Sequence, residues 1–567
     1  MTDRAPRKPN SPAPATKSTP KAPAKAGRGM AKPITRSATA RSGPAGPRGL
    51  GGQARVPRAS ELAKDAKAAQ KRSGPSSGRP RPMQESAPRP ADGSRARRQL
   101  PSHIVEVEAP RAARGVIDVP RELVLRRLVE QASRYPNLDP KPLDTDRLPL
   151  LDGAFAHAIY DACIRHWLSL AAVIQAACGK PVSEQVPVLQ AVLLCGAAQL
   201  LVLDKVPPHA AVDSSVEWAK ASAGEGAGRF TNAVLRRVSE IRQVDAQGFV
   251  VRVPWTRERD QFPLSDGQAL KLRTDCFAEE AWPRLAQATS HPKRLAEHWL
   301  ERFGEEVAGK FLAHGCVVAP TIINAVADAS VADESKCEPH ERKGFYVFNG
   351  DRAGLMSLLD RKPLVRVQDP TAAAAVTLLV ESGALKGIHT PMIIDVCAGQ
   401  GTKSRQLAAE IKGARIIASD TEARRMNVLE RLATLDPAIE ALEPKVMRAA
   451  YTGVADVVLL DVPCSNSGVV ARRLEARYRL DGHEIGRMVT LQRAIIGDAL
   501  RLLKHNGILV YSTCSIEREE NQEHTASLLS AGYTLLAERE TLPQGQPGDD
   551  DSKYHDGGYA VVLRRGK

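Results

Sequence analysis

Between residues 121 and 240, apolar side chains recur every three or four positions. The segments ELVLRRLVEQASRY, FAHAIYDACIRHWLSLAAVIQAAC, PVLQAVLLCGAAQLLVL, AVDSSVEWAKASA and GRFTNAVLRRVSEI each carry that period, which lays an apolar stripe along a helix. Pro207 and Pro208 precede the fourth segment, where proline suits a helix start. No strand pattern of comparable strength interrupts the run, so an all-α domain is expected over 113–245. Residues 243–290 are mixed and proline-containing, with VVRVP as a possible strand, and read as a connector. HPKRLAEHWLERFG begins a further helix, and shorter alternating pieces such as TIINAVAD and GFYVFNG follow. The stretch 246–363 is therefore expected to hold the connector and a small α+β subdomain.

From about 364 the rhythm changes. Apolar runs at 392–396, 415–419, 445–447, 454–460, 507–511, 534–538 and 559–563 read as strands, and helical patterns separate the first five. Such alternation implies parallel pairing in a doubly wound sheet. An α/β domain with a Rossmann-like, seven-stranded sheet is expected over 364–567.

The first of these strands runs into Asp395 and then Cys397, Ala398, Gly399, Gln400, Gly401, Thr402 and Lys403, after which a helix begins. Glycines at such a turn let a ligand approach the backbone, and the helix start offers unpaired N–H groups. The loop is neither GxGxxG nor a Walker loop, so a dinucleotide or a triphosphate is not the first choice. The second strand ends at Asp420, placed to accept from ribose hydroxyls. The pair suggests a nucleoside-bearing ligand; the plainer alternative is an ordinary strand–turn–helix with a surface acid.

Two cysteines end strands nearby. Asp461 and Cys464 lie just past the fourth strand in VADVVLLDVPCSNSGVVARR, and Cys514 ends the fifth in VYSTCS. A lone cysteine is usually packing. Neighbouring parallel strands, however, end on one edge, so both thiols, Asp461 and the glycine loop could share a crevice. Cytosine chemistry needs such a set. C5 of cytosine is a poor nucleophile until a thiolate adds to C6, and a carboxylic acid at ring N3 drives that addition. An unperturbed thiol is only a few per cent ionised near neutrality, so the site must lower the Cys514 pKa or supply a base.

DVPCS and STCS, in that order after DVCAGQGTK, resemble the RNA cytosine-C5 methyltransferases of the Nol/Nop/Sun group. VPPHAAVDSSVEWAK followed by RFTNAVLRRV resembles the last two helices of the NusB family of RNA-binding domains. Together, over about 120–567, the chain is similar to bacterial 16S rRNA cytosine-C5 methyltransferases of the RsmB (Sun/Fmu) type. Gln368-Asp369, Arg472-Arg473, Glu519-Glu520-Asn521 and the closing HDGGYAVVLRR also fit. The resemblance implies a class I methyltransferase fold with S-adenosylmethionine as cofactor and 16S rRNA as substrate. It implies Cys514 as nucleophile, Cys464 in product release and Asp461 at the cytosine and beside the cofactor. Residues 397–403 and Asp420, with Arg425, would hold the cofactor. The departures are a loop reading CAGQGTK where the family has CAAPGGK, no acid in KVMRAAYTG after the third strand, and no arginine in PTIINAV. Asn232 reads best as a helix stitch, and the arginines beside it as either a solvated face or an RNA contact.

Charge adds a partner. The chain has 567 residues, too many for one core, and carries 80 Lys/Arg against 65 Asp/Glu. Residues 1–100 hold 23 of the basic and 5 of the acidic residues. The basicity is thus carried by one end, which points to a tail that meets a polyanion; the plainer alternative is a solubilising or targeting extension. That end is Pro-, Ala- and Lys/Arg-rich with almost no large apolar residue, so 1–112 is expected to be disordered. It has no apolar core of signal-peptide length, and the 18-residue run 186–203 reads as a buried helix, so no membrane is expected. The nine cysteines show no CxxC pair, which suits reduced thiols in a cytoplasm, no disulfide frame and no metal, including at Cys337-x-x-His340. A monomer is expected. An alternative of another class is an RNA-binding assembly or transcription factor whose catalytic domain is weakened.

Overall fold

The computed structural model describes residues 118–566; the expected disordered segment lies outside them. Six helices come first: α1 (Val119–Arg134), α2 (Leu150–Arg165), α3 (Trp167–Cys178), α4 (Pro187–Leu201), α5 (Pro208–Ala223) and α6 (Glu225–Ile241). The stripe expected as one helix over 155–178 breaks at His166. The amide freed there, on Leu168, donates to Ser290 Oγ at 2.8 Å, and Trp167 stacks on Tyr135 at 5.6 Å. Helix α4 is buried on nearly every side, which is why it reads as continuously apolar. A Cβ on its Gly196 would meet Leu235 Cδ1 at 2.5 Å, so glycine lets α6 pack close. Among the described residues no helix is long and apolar enough to cross a membrane.

The connector is more structured than its sequence suggests. β1 (Arg252–Pro254), β2 (Gln261–Pro263) and β3 (Gln268–Lys271) form an antiparallel sheet in the order β1-β3-β2, and Phe262, Leu270 and Leu272 join the helical core. Helices α7 (Ala281–Ala288) and α8 (Lys293–His314) lead to β4 (Ile322–Asn324), β5 (Cys337–Pro339), β6 (Phe345–Phe348), α9 (Arg352–Arg361) and β7 (Arg366–Val367). These strands make a four-stranded sheet in the order β5-β6-β4-β7. PTIINAV puts buried Ile322 on β4, and Arg366 on β7 pairs in register with Asn324. His340 Nε2 donates to the Tyr554 carbonyl at 2.9 Å, so it serves the packing of this sheet.

Helix α10 (Pro370–Glu381) opens the last region. Its sheet runs β10-β9-β8-β11-β12-β14-β13. The strands are β8 (Met392–Asp395), β9 (Arg415–Ala418), β10 (Ile439–Ala441), β11 (Ala455–Asp461), β12 (Leu503–Thr513), β13 (Thr534–Thr541) and β14 (Gly558–Arg564). The first five are parallel, and β14 runs antiparallel between β12 and β13. Helices α11 (Thr402–Glu410) and α12 (Ala423–Leu435) follow β8 and β9. Each central strand is buried on both faces, and each Val, Ile or Leu side chain taken from water contributes roughly 1.5–3 kcal/mol.

One strand assignment is corrected. Residues 445–447 lie in helix α13 (Pro444–Ala450), because Pro444 at its first turn presets a helical φ. The third strand is Ile439–Ala441, in register with Ile416–Ala418 on β9. The residues that follow it are Leu442 and Glu443, so an acid does stand after the third strand.

Candidate active site

Strands β8, β11 and β12 end on one edge. Asp461 is in register with Ser512, so Cys464 and Cys514 start from neighbouring strand ends. Their sulfurs are 3.2 Å apart. Cys514 Sγ donates to Asn466 Oδ1 at 3.2 Å, and Asn466 Nδ2 donates to the Cys464 carbonyl at 3.1 Å. Asn466 holds the turn in the left-handed region at φ 62°, which asparagine tolerates. The two loops touch backbone to backbone. Gly468 N donates to the Cys514 carbonyl at 3.0 Å, and a Cβ on Gly468 would lie 2.6 Å from Gly557. The Cys514 contact, burial and the nearby Glu520 push the Cys464 thiol well above its ordinary value. Cys464 is buried and Cys514 half-buried.

Asp461 stands between two donors. Lys403 Nζ donates to its Oδ2 at 2.7 Å and Ser512 Oγ to its Oδ1 at 2.8 Å. Burial works against the Lys403 charge, but Asp461 outweighs it and the ammonium is held above its ordinary value. The glycine loop lies beside them. Gly399 has φ 59° and Gly401 φ 78°, and a Cβ on Gly401 would meet Leu432 Cδ2 at 2.5 Å. Gly401 caps α11 without a side-chain partner, leaving its first amides open. Ala398 N donates to the Ser419 carbonyl at 2.9 Å. Gln400 and Thr402 are exposed at the loop's rim. Asp420 accepts from Gly399 N at 3.0 Å and Glu422 N at 2.9 Å, and Arg425 reaches it at 3.5 Å. Burial, and then the carboxylates of Asp395, Asp461 and Asp420, push the Cys397 thiol up to about 12. This set of polar groups suits S-adenosylmethionine: an ammonium for a carboxylate, carboxylates for an amine and a ribose, and amides beside Gly401, where a Cβ would clash with Leu432.

All the residues expected at the site thus gather on this edge. A family model described as 16S rRNA methyltransferase RsmB/F matches residues 384–547, and one described as NusB family matches 117–240. Residues 384–547 thus carry an RsmB/F methyltransferase domain and residues 117–240 a NusB-family domain. It is 27% identical over 425 residues to Ribosomal RNA small subunit methyltransferase B of Vibrio cholerae, covering 73% of this chain and 90% of the relative. The protein of the same name from Xylella fastidiosa (strain 9a5c) is 26% identical over 402 residues, covering 69% and 82%. The solved structure of PH0851 shares the fold, with TM-score 0.56 and 21% identity over 79% of this chain and 99% of that one. As an RsmB/F-type enzyme the chain uses S-adenosylmethionine to methylate ribosomal RNA.

The structure adds residues around the RsmB/F site that sequence reasoning gave no chemistry. In the sequence Glu519-Glu520-Asn521 stand only as a match to the family. Glu520 is instead fully buried, and it accepts from Ser465 N at 3.0 Å, Ser515 Oγ at 3.0 Å and Gln492 Nε2 at 2.8 Å. Asn521 accepts from Thr513 Oγ1 at 2.6 Å and donates to the Ser515 carbonyl at 2.8 Å. Glu517, also fully buried, accepts from Arg302 at 2.6 Å and Trp299 Nε1 at 3.3 Å and meets His298 Nε2 at 2.8 Å. It ties the Cys514 loop to α8. Arg472 pairs with Asp556 at 2.7 Å and lies 3.8 Å from Asp369. Gln368 accepts from Asn324 and Arg366, both at 2.9 Å. The family-matching Gln368, Glu520 and Asn521 are buried and brace the loops from within, whereas Arg472 is exposed. Beside the loop, Asp395 is fully buried; Ser404 Oγ donates to its Oδ2 at 2.7 Å, while its Oδ1 has no partner.

Proposed function

We propose that this chain methylates C5 of one cytosine in 16S rRNA through a covalent bond between Cys514 and ring C6. The observation that carries the reading is the 3.2 Å contact between Cys464 and Cys514, next to the Lys403–Asp461 pair. Cys464 is buried and Cys514 is the more open of the two thiols, so Cys514 is the better placed to reach a ring as nucleophile.

In this account Cys514, a thiol hydrogen-bonded to Asn466 Oδ1, first gives its proton to water in the crevice; the thiolate then adds to C6 and the C5=C6 electrons move onto C5. Asp461 contacts the N3–N4 edge of the ring, and Lys403 beside it offsets the charge that builds there. Residues 397–403, Asp420 and Arg425 would hold S-adenosylmethionine, with Asp461 beside it. When bound, S-adenosylmethionine supplies the methyl group that C5 receives. Cys514 is then a thioether, so its contact no longer opposes ionisation of Cys464. Cys464 loses its own proton to the open crevice and takes H5. The C5–H electrons reform C5=C6, the C6–S bond breaks, and Cys514 leaves as thiolate.

The helical region, 113–245, would contact RNA, and 364–567 would perform the chemistry, with 246–363 between them. The enzyme would act as a monomer in the cytoplasm. An acid, Glu443, does follow the third strand, so the departure read at KVMRAAYTG does not weigh against the enzyme. Purified full chain with S-adenosylmethionine and unmodified 16S rRNA should create a new 5-methylcytosine in bisulfite sequencing. No new site would refute the proposal.

A further inference from the structure

The reaction proposed above needs two sulfurs at a fixed separation, yet each sits on its own loop. No covalent link joins those loops, and β11 and β12 have already ended. Something past the strands must set the spacing. Asn466 and Gly468 contribute from one side. On the buried side, one carboxylate reaches both loops. Glu520 accepts from Ser465 N, the amide directly after Cys464, and from Ser515 Oγ, on the residue directly after Cys514. Ser465 Oγ and Ser515 Oγ are themselves 3.2 Å apart. Gln492 Nε2 donates to the same carboxylate and, at 2.9 Å, to the Pro463 carbonyl, just before Cys464. Tyr511 Oη donates to the Glu520 carbonyl at 2.6 Å, which pins the backbone of the acid to β12.

We propose that Glu520 is a positioning residue that holds Cys464 and Cys514 in contact. The proposal rests on the two-thiol reading of the site. A carboxylate suits the task because it presents only acceptors, and every neighbour presents a donor. The side chain is fully buried, so water does not compete for those donors. The substitution Glu520→Gln would turn an N–H2 group toward the Ser465 amide, the Ser515 hydroxyl or the Gln492 amide, opening the loops on one side. Gln492 is the second half of the device, because it carries the same restraint to the front of the Cys464 loop.

The full chain is compared with Glu520→Gln and Glu520→Ala by two measurements. The first is the rate of disulfide formation between Cys464 and Cys514 under diamide, followed by peptide mapping. The two thiols lose two protons and two electrons to diamide, which becomes its hydrazine, and one S–S bond forms. The second is steady-state methylation of 16S rRNA. Misplacement of a reacting group by about 1 Å costs on the order of 100-fold. The disulfide rate should therefore fall about tenfold in the glutamine variant and about 100-fold in the alanine variant. kcat should fall in parallel while KM for S-adenosylmethionine and for RNA stays within about twofold, since uniform binding is untouched. If the alanine variant does not fold, the isosteric glutamine variant decides alone. Disulfide rates equal to those of the parent would overturn the proposal. A slowed disulfide with unchanged turnover would support the positioning role and contradict the two-thiol chemistry instead.

Discussion

Replacing Asp395 by asparagine tests the electrostatics beneath the glycine loop. Burial raises its carboxyl from an ordinary 3.8 to about 7, with Asp461 and Asp420 adding to the rise and Ser404 and Lys403 opposing it. The folded value lies above the unfolded one, so the fold binds the proton more tightly. No stability is lost below pH 3.8; the loss grows as pH rises and is complete above about pH 7. At about 1.4 kcal/mol per pH unit, the ionised group costs the native state about 4 kcal/mol. Between pH 5 and pH 7 the change is about 2 kcal/mol. Asp395→Asn keeps the acceptor for Ser404 Oγ and cannot ionise. The parent should weaken relative to the variant by about 3 kcal/mol between pH 5 and pH 8. Urea unfolding of the full chain, followed by circular dichroism at both pH values, reads this directly. Other raised carboxyls, such as Asp369, are common to both proteins and cancel. A difference between variant and parent that is equal at pH 5 and pH 8 would refute the proton-holding carboxyl.

Gly401→Ala places a side chain at φ 78° and 2.5 Å from Leu432, so calorimetry should show S-adenosylmethionine binding weakened by about tenfold or more; unchanged affinity would mean that the loop relaxes freely. The Glu517 hydrogen bond raises the His298 pKa despite partial burial. Its contribution is full below about pH 6.5 and fades as pH rises through the raised value. His298→Gln should therefore lower the melting temperature more at pH 6 than at pH 9, and an equal loss at both would contradict the ion pair. Arg477→Leu strips the donor from the buried carbonyls of Thr289, Gly315 and Val470. Each unpaired group costs about 1–3 kcal/mol, so the melting temperature should fall by several degrees. A thermal scan that overlays the parent would show that water replaces the guanidinium.

Much of the architecture is legible because central parallel strands are buried on both faces and read as uninterrupted Val/Ile/Leu runs. The third strand escapes this rule. Ile439–Ala441 is a three-residue edge strand with an acid in the middle, and the apolar Val446 and Met447 just beyond it belong to a helix. The break at His166 is equally hidden, because the apolar stripe continues through it and the partner for the freed amide, Ser290, lies 122 positions away. At the site, Cys464, Cys514, Asp461 and the glycine loop are legible from residue type and strand ends. Glu517 and Glu520 are not. In a polar run after a strand, an acid normally faces water, and only the packed fold shows that α8 and the 492 region bring donors to both.

The most direct test of the central claim uses Cys464→Ala, incubated with 16S rRNA and S-adenosylmethionine and then digested for peptide mass mapping. The account predicts a trapped adduct of methylated cytidine on the peptide that contains Cys514, lost when Cys514→Ala is added. An adduct on any other residue, or full methylation by Cys514→Ala alone, would contradict it.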